Sequence, residues 1–137
     1  MIRGKYMLDT NTVSRLVEQH PEVVRRVIDV PMDSLCVSAI TVGEVHYGLA
    51  KRPEAVRLRV AGTELMRRVD VLPWDASAAE HYGIVRADLE RAGRPLGSLD
   101  ARIAAHALSV GAVLVTTDRA FKHVAHLRIE NWTIGQP

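Results

Sequence analysis

The sequence predicts an α/β fold on a central, mainly parallel sheet. Three observations predict it. Short apolar runs recur at 6–8, 35–37, 69–72 and 112–115, each too short for a helix. Between them lie longer stretches with apolar residues at helical spacing, bounded by Pro, Gly, Ser or Asp. The run 112–115 is apolar at every position, as a strand covered on both faces requires. Strands that alternate with helices return through a crossover and so run parallel.

Taken in order, Tyr6-Met7-Leu8 reads as a buried first strand, ended by Asp9. Thr10 and Asn11 favour a helix start, and 11–18 reads as a short helix with Val13, Leu16 and Val17 inward. Pro21 suits the first position of a second helix. Its Val23, Val24, Val27 and Ile28 form an apolar stripe, and Pro31 ends it. Leu35-Cys36-Val37 is the second strand. Ser38 or Thr41 is expected to cap the next helix, and Thr41-x-x-Glu44 has the form of a capping box. That helix runs through Val42, Val45 and Leu49, and Pro53 is expected to open a long basic helix to about Arg68. The third strand, 69–72, closes at Pro73. Asp75 caps a helix with Ala78, Tyr82, Val85 and Leu89 on one face, stopped by Gly93 and Pro95. Ser98 is expected to cap a helix whose stripe is Ile103, Ala104, Ala107 and Leu108, ended by Gly111. After 112–115 come Thr116-Thr117-Asp118, one or two helical turns over 119–124, and a last short strand over 128–132.

The 137 residues suit a single domain, 1–137. With 47% hydrophobic and 25% charged residues the chain has globular composition. No apolar run approaches the roughly 20 residues of a membrane span, and the start lacks a signal-peptide core. Cys36 is the one cysteine, so neither a disulfide framework nor a thiolate metal cluster is available, and a reducing cytoplasm is the expected compartment. The net charge is +2. With four acids set aside in one site, 12 remain against 18 cations, a basic surround that suits a polyanion.

Four acids are expected to converge. Asp9 and Asp118 each follow an apolar strand, at the carboxyl edge where open α/β sheets bind ligands. Asp100 lies three and four residues before Ile103 and Ala104, hence on the inward stripe of its helix and in its first turn. Glu44 is expected in the first turn of the helix behind the second strand. The simpler role for Asp9 and Glu44 is helix capping. Carboxylates about 4 Å apart at an effective dielectric near 20 repel by about 4 kcal/mol per pair. Protonation or a bound cation relieves this. Oxygen ligands without His or Cys select Mg²⁺ or Mn²⁺. Such an ion activates water and orients phosphate, which points to phosphodiester hydrolysis.

The chain resembles PIN-domain ribonucleases of the VapC type, the toxin half of bacterial type II toxin–antitoxin pairs. The similar stretches are Tyr6-Met7-Leu8-Asp9-Thr10-Asn11, Ser38-Ala39-Ile40-Thr41-Val42-Gly43-Glu44-Val45-His46-Tyr47-Gly48, Gly93-Arg94-Pro95-Leu96-Gly97-Ser98-Leu99-Asp100, Asp100-Ala101-Arg102-Ile103-Ala104-Ala105-His106-Ala107, Leu114-Val115-Thr116-Thr117-Asp118-Arg119-Ala120-Phe121 and Leu127-Arg128-Ile129-Glu130-Asn131-Trp132. The resemblance implies a PIN-like three-layer α/β/α fold with four to five strands. It implies that Asp9, Glu44, Asp100 and Asp118 are catalytic, metal-binding acids, that Thr116 orients a ligand, and that Asn11 supports them. Many relatives carry two Asn where this chain has Thr117-Asp118. The resemblance also implies Mg²⁺- or Mn²⁺-dependent endonucleolytic cleavage of RNA, often tRNA. A homodimer and a VapB-like antitoxin partner are implied as well.

Other readings remain open at this stage. The six histidines show no paired spacing, and His106 falls off the face of Asp100. Arg86 and Arg102 suit solvated helix faces or phosphate contacts. Asp9-Thr10-Asn11-Thr12-Val13 echoes the aspartyl-phosphate motif of haloacid-dehalogenase-type phosphatases, but Asn11 cannot protonate a leaving group. A receiver-type phosphotransfer domain would need an acid pair and a lysine that are not evident. A non-enzymatic interaction module would use the acids only as caps.

Overall fold

The computed structural model describes residues 4–135. The ends of the expected domain, 1–3 and 136–137, lie outside the described residues. The chain runs β1 (Tyr6–Leu8), α1 (Thr10–Val17), α2 (Pro21–Asp29), β2 (Leu35–Ser38), α3 (Ala39–Ala50), α4 (Val56–Arg68), β3 (Asp70–Leu72), α5 (Ala76–Arg91), α6 (Ser98–Val110), β4 (Val113–Val115) and β5 (Ile129–Glu130). Two 3-10 turns, Met32–Ser34 and Arg119–His123, lead into β2 and follow β4.

The five strands form one sheet in the order β3-β2-β1-β4-β5, and every pair is parallel. Leu8 pairs with Val115, and Met7 with both Cys36 and Leu114. Strand residues alternate between two cores. Met7, Cys36 and Leu114 pack with Val85, Leu89, Ile103, Ala104, Ala107 and Phe121. Leu8, Leu35, Val37 and Val115 pack with Val13, Val23, Val69 and Trp132 on the opposite face. Both faces are covered, so strand residues of both parities are apolar. This is the expected three-layer α/β/α architecture, with five strands.

Several local expectations are corrected. Pro53 does not open α4. The Ala55 N–H donates to the Arg52 carbonyl at 3.0 Å, so Pro53 sits inside a turn and α4 begins at Val56. Ser98 does not cap α6: it is already the first helical residue, and Gly97 takes the capping position without a side chain to offer. The Thr41–Glu44 capping box does not form. Ser38 caps α3 by accepting the Ile40 N–H at 3.1 Å, which starts the helix a turn earlier and leaves Thr41 buried within it. Glu44 therefore lies in the second turn. The last strand shrinks to Ile129–Glu130, and Trp132 turns inward beside Tyr6, ring centroids 5.2 Å apart. Asp75 does cap α5, accepting the Ala78 N–H at 3.0 Å, and Gly111 ends α6 at φ 71°.

Candidate active site

The strand order reverses between β1 and β4, and at such a switch point the crossovers leave a crevice at the carboxyl edge. Asp9 stands at the tip of β1. Its N–H donates to the Val115 carbonyl at 3.1 Å, which ties it to the tip of β4. Its Oδ1 accepts the Thr12 N–H at 2.8 Å, so Asp9 does cap α1. Thr12 Oγ1 donates to the same Val115 carbonyl at 3.0 Å. Asp9 is thus buried and held through its N–H and its Oδ1, while among the described residues Oδ2 takes no hydrogen bond.

Just past β4, Thr116 is buried and its Oγ1 accepts the Asp118 N–H at 3.0 Å. Asp118 is exposed, and its Oδ1 accepts the Ala120 N–H at 2.9 Å, opening the 3-10 turn behind it. The Thr116 hydroxyl therefore shapes the loop that carries Asp118. Asp100 is half-buried in the first turn of α6. Burial first, then the negative charges of Asp118, Asp9 and Glu44, push its carboxyl above the ordinary value. Asp100 thus lies within reach of the charges of Asp118, Asp9 and Glu44. Among the described residues, no three His, Cys, Asp or Glu side chains stand close enough to enclose an ion as placed.

Glu44 enters from α3, and its Oε1 accepts the Thr10 hydroxyl at 3.0 Å. Asn11 is exposed on the first turn of α1, while its neighbour Thr10 reaches the acid. Thr10 was not singled out by sequence reasoning. A hydroxyl after a strand-end acid was the available signal, but its partner lies 34 residues on. His106 is buried beneath the edge, with Nδ1 2.8 Å from Ser38 Oγ. Burial lowers its pKa from the ordinary value, against the opposing charge of Asp75.

A family model described as "PIN domain" matches residues 6–127. This chain belongs to the PIN-domain family. Over 130 residues it is 39% identical to a Shigella flexneri protein named "tRNA(fMet)-specific endonuclease VapC", covering 94% of this chain and 98% of that one. A Haemophilus influenzae "Ribonuclease VapC2" is 36% identical over 129 residues, 93% and 98% of the two chains. Among solved structures, the DNA-bound VapBC of Salmonella typhimurium superposes with a TM-score of 0.87 at 39% identity, covering 93% of this chain and 98% of that one. The PIN domain seen here is thus VapC-like along nearly its whole length. Its strand order also departs from the receiver order 2-1-3-4-5. No helix among the described residues is long and apolar enough to cross a membrane.

Proposed function

We propose that this PIN domain is the toxin of a toxin–antitoxin pair and acts as a metal-dependent endoribonuclease. The observation that carries the reading is Asp100, whose carboxyl is raised first by burial and then by the charges of Asp118, Asp9 and Glu44. Surplus negative charge at the switch point of an open sheet suits a cation and a phosphate. The donor set is carboxylate and hydroxyl only, which fits Mg²⁺ or Mn²⁺. Asp9 and Asp100 would hold the ion, with Glu44 and Asp118 beside them. When bound, the ion supplies an activated water and charge stabilisation for phosphodiester hydrolysis. Thr10 orients Glu44. Thr116 sets the loop of Asp118, and Asn11 is left as an outer support.

The VapC relatives named as tRNA(fMet)-specific endonucleases favour tRNA as substrate. Solved VapBC complexes of Salmonella typhimurium and Rickettsia felis favour a VapB-like antitoxin as partner. A homodimer and a cytoplasmic location complete the proposal. Strands drawn from Tyr6 through Glu130 support one nuclease domain over 1–137.

The deciding experiment is RNA cleavage by partner-free protein with Mg²⁺, Mn²⁺ or EDTA, beside Asp100→Asn. Cutting by wild type alone, abolished by EDTA, is the expected result. Equal cutting by both proteins, or none by either on total RNA and tRNA, overturns the reading.

A further inference from the structure

Asp100 shares its end of α6 with an arginine that no acid among the described residues pairs with. Arg102 Nη1 donates to the Ser98 carbonyl at 3.1 Å, so the guanidinium folds back over the turn that carries Asp100. Its Cζ lies 4.8 Å from the centre of the Tyr82 ring. Tyr82 is itself fastened. Arg86 Nη1 donates to its hydroxyl at 2.9 Å, and Trp74 meets its ring edge-on at 6.0 Å. Trp74 Nε1 donates to the carbonyl of Arg102 at 3.0 Å. Trp74 follows the tip of β3, which places the whole assembly at the carboxyl edge of the sheet.

Some arginines are paired with acids, among them Arg25 with Glu22, Arg26 with Glu130, Arg86 with Glu90 and Arg91 with Asp88. Among the described residues Arg102 has no carboxylate within ion-pair distance. A planar cation held by a carbonyl and a ring face keeps its charge and its remaining N–H donors for an outside anion. The start of α6 also has no side-chain cap, so its first N–H groups have no side-chain acceptor within the helix's own N-terminus.

We propose that Arg102, seated on Tyr82, binds a backbone phosphate of the RNA beside the one that is cut, and so sets substrate affinity. This rests on the ribonuclease reading above. A phosphate contact carries no base information, so it strengthens binding of all RNA sequences alike. If Arg102 served only to fasten α6 to α5, substrate affinity would not depend on its charge.

The test is the initial rate of total-tRNA cleavage with Mn²⁺, across a range of NaCl, for wild type, Arg102→Gln and Arg102→Lys. Arg102→Gln should raise KM about tenfold with kcat nearly kept, the scale of a charged hydrogen bond. The slope of log affinity against log salt should fall by about 0.7. Arg102→Lys keeps the charge but not the planar fork and should fall between. In a second measurement, filter binding of tRNA in EDTA compares Asp100→Asn with Asp100→Asn/Arg102→Gln. Weaker binding by the double variant is expected. Wild-type cutting with unchanged KM and salt slope for Arg102→Gln, or equal tRNA binding by the two uncleaving proteins, overturns the role of Arg102 alone. No cutting by wild type overturns the ribonuclease reading, and this inference with it.

Discussion

Thr10 Oγ1 donates to Glu44 Oε1 across 3.0 Å and ties the first turn of α1 to the second turn of α3. The bond fixes the direction of the Glu44 carboxylate relative to α1. Groups that orient metal-ligating carboxylates commonly change affinity or activity 10- to 100-fold when removed. Thr10→Val should lower metal-dependent cleavage by about tenfold, and Thr10→Ser should keep most of it. Thermal melts of the two variants should match wild type to within a few degrees. A melt that falls with the rate would assign Thr10 to packing.

Asp100→Asn removes one charge from a crowded edge. Cleavage should vanish while the metal-free fold persists or melts slightly higher, because the burial of a charge, and then the repulsion from Asp118, Asp9 and Glu44, are both relieved. Mg²⁺ or Mn²⁺ should raise the melting temperature of wild type, since an ion that binds only the folded state stabilises it. The variant should respond weakly. Equal metal responses in the two proteins would place the ion elsewhere.

Asp118 has two roles that substitution can separate. Its Oδ1 accepts the Ala120 N–H, a bond Asn can also accept. Asp118→Asn should therefore cut cleavage with little change in stability, whereas Asp118→Ala should also cost about 1 kcal/mol through the lost cap. Urea titrations beside rate measurements decide this. Full activity in Asp118→Asn would remove Asp118 from the metal site and leave it as a cap.

His106 gives the fold an acid sensitivity of known sign. Its folded pKa lies below the ordinary value, so the unfolded chain takes up the proton first. The stability that neutral His106 contributes is present above its unfolded pKa and is lost as pH falls toward the folded pKa. His106→Gln should flatten the fall in melting temperature between about pH 7 and pH 5, and it should keep most of the cleavage rate at neutral pH. A thousandfold loss of rate would instead make His106 part of the chemistry.

Much of this protein was legible in its sequence. The runs at 6–8, 35–37, 69–72 and 112–115 are strands to within a residue or so, because a short apolar segment between turn formers has few alternatives. The expected placement of Asp9 and Asp118 at strand tips followed from the same runs. The position of Asp100 on the inward stripe followed from Ile103 and Ala104, both buried. These are matters of neighbours within a few residues, where backbone preference and side-chain periodicity decide.

Only the tertiary structure decided the rest. Thr41-x-x-Glu44 has a good local capping pattern, yet Ser38 took the cap because β2 delivers the chain to its helix one turn earlier. Pro53 is a good first residue for a helix and an equally good turn residue, and the turn into α4 selected the second. The pairing of Thr10 with Glu44, of His106 with Ser38, and of Arg102 with Tyr82 and Trp74 joins residues up to 68 positions apart. No local rule reaches that far. Which hydroxyl meets which acid, and which ring a cation stacks on, depends on how the crossovers pack against the two faces of the sheet. The sequence alone thus determined the strands, and the packing of the helices decided which side chains meet across the elements.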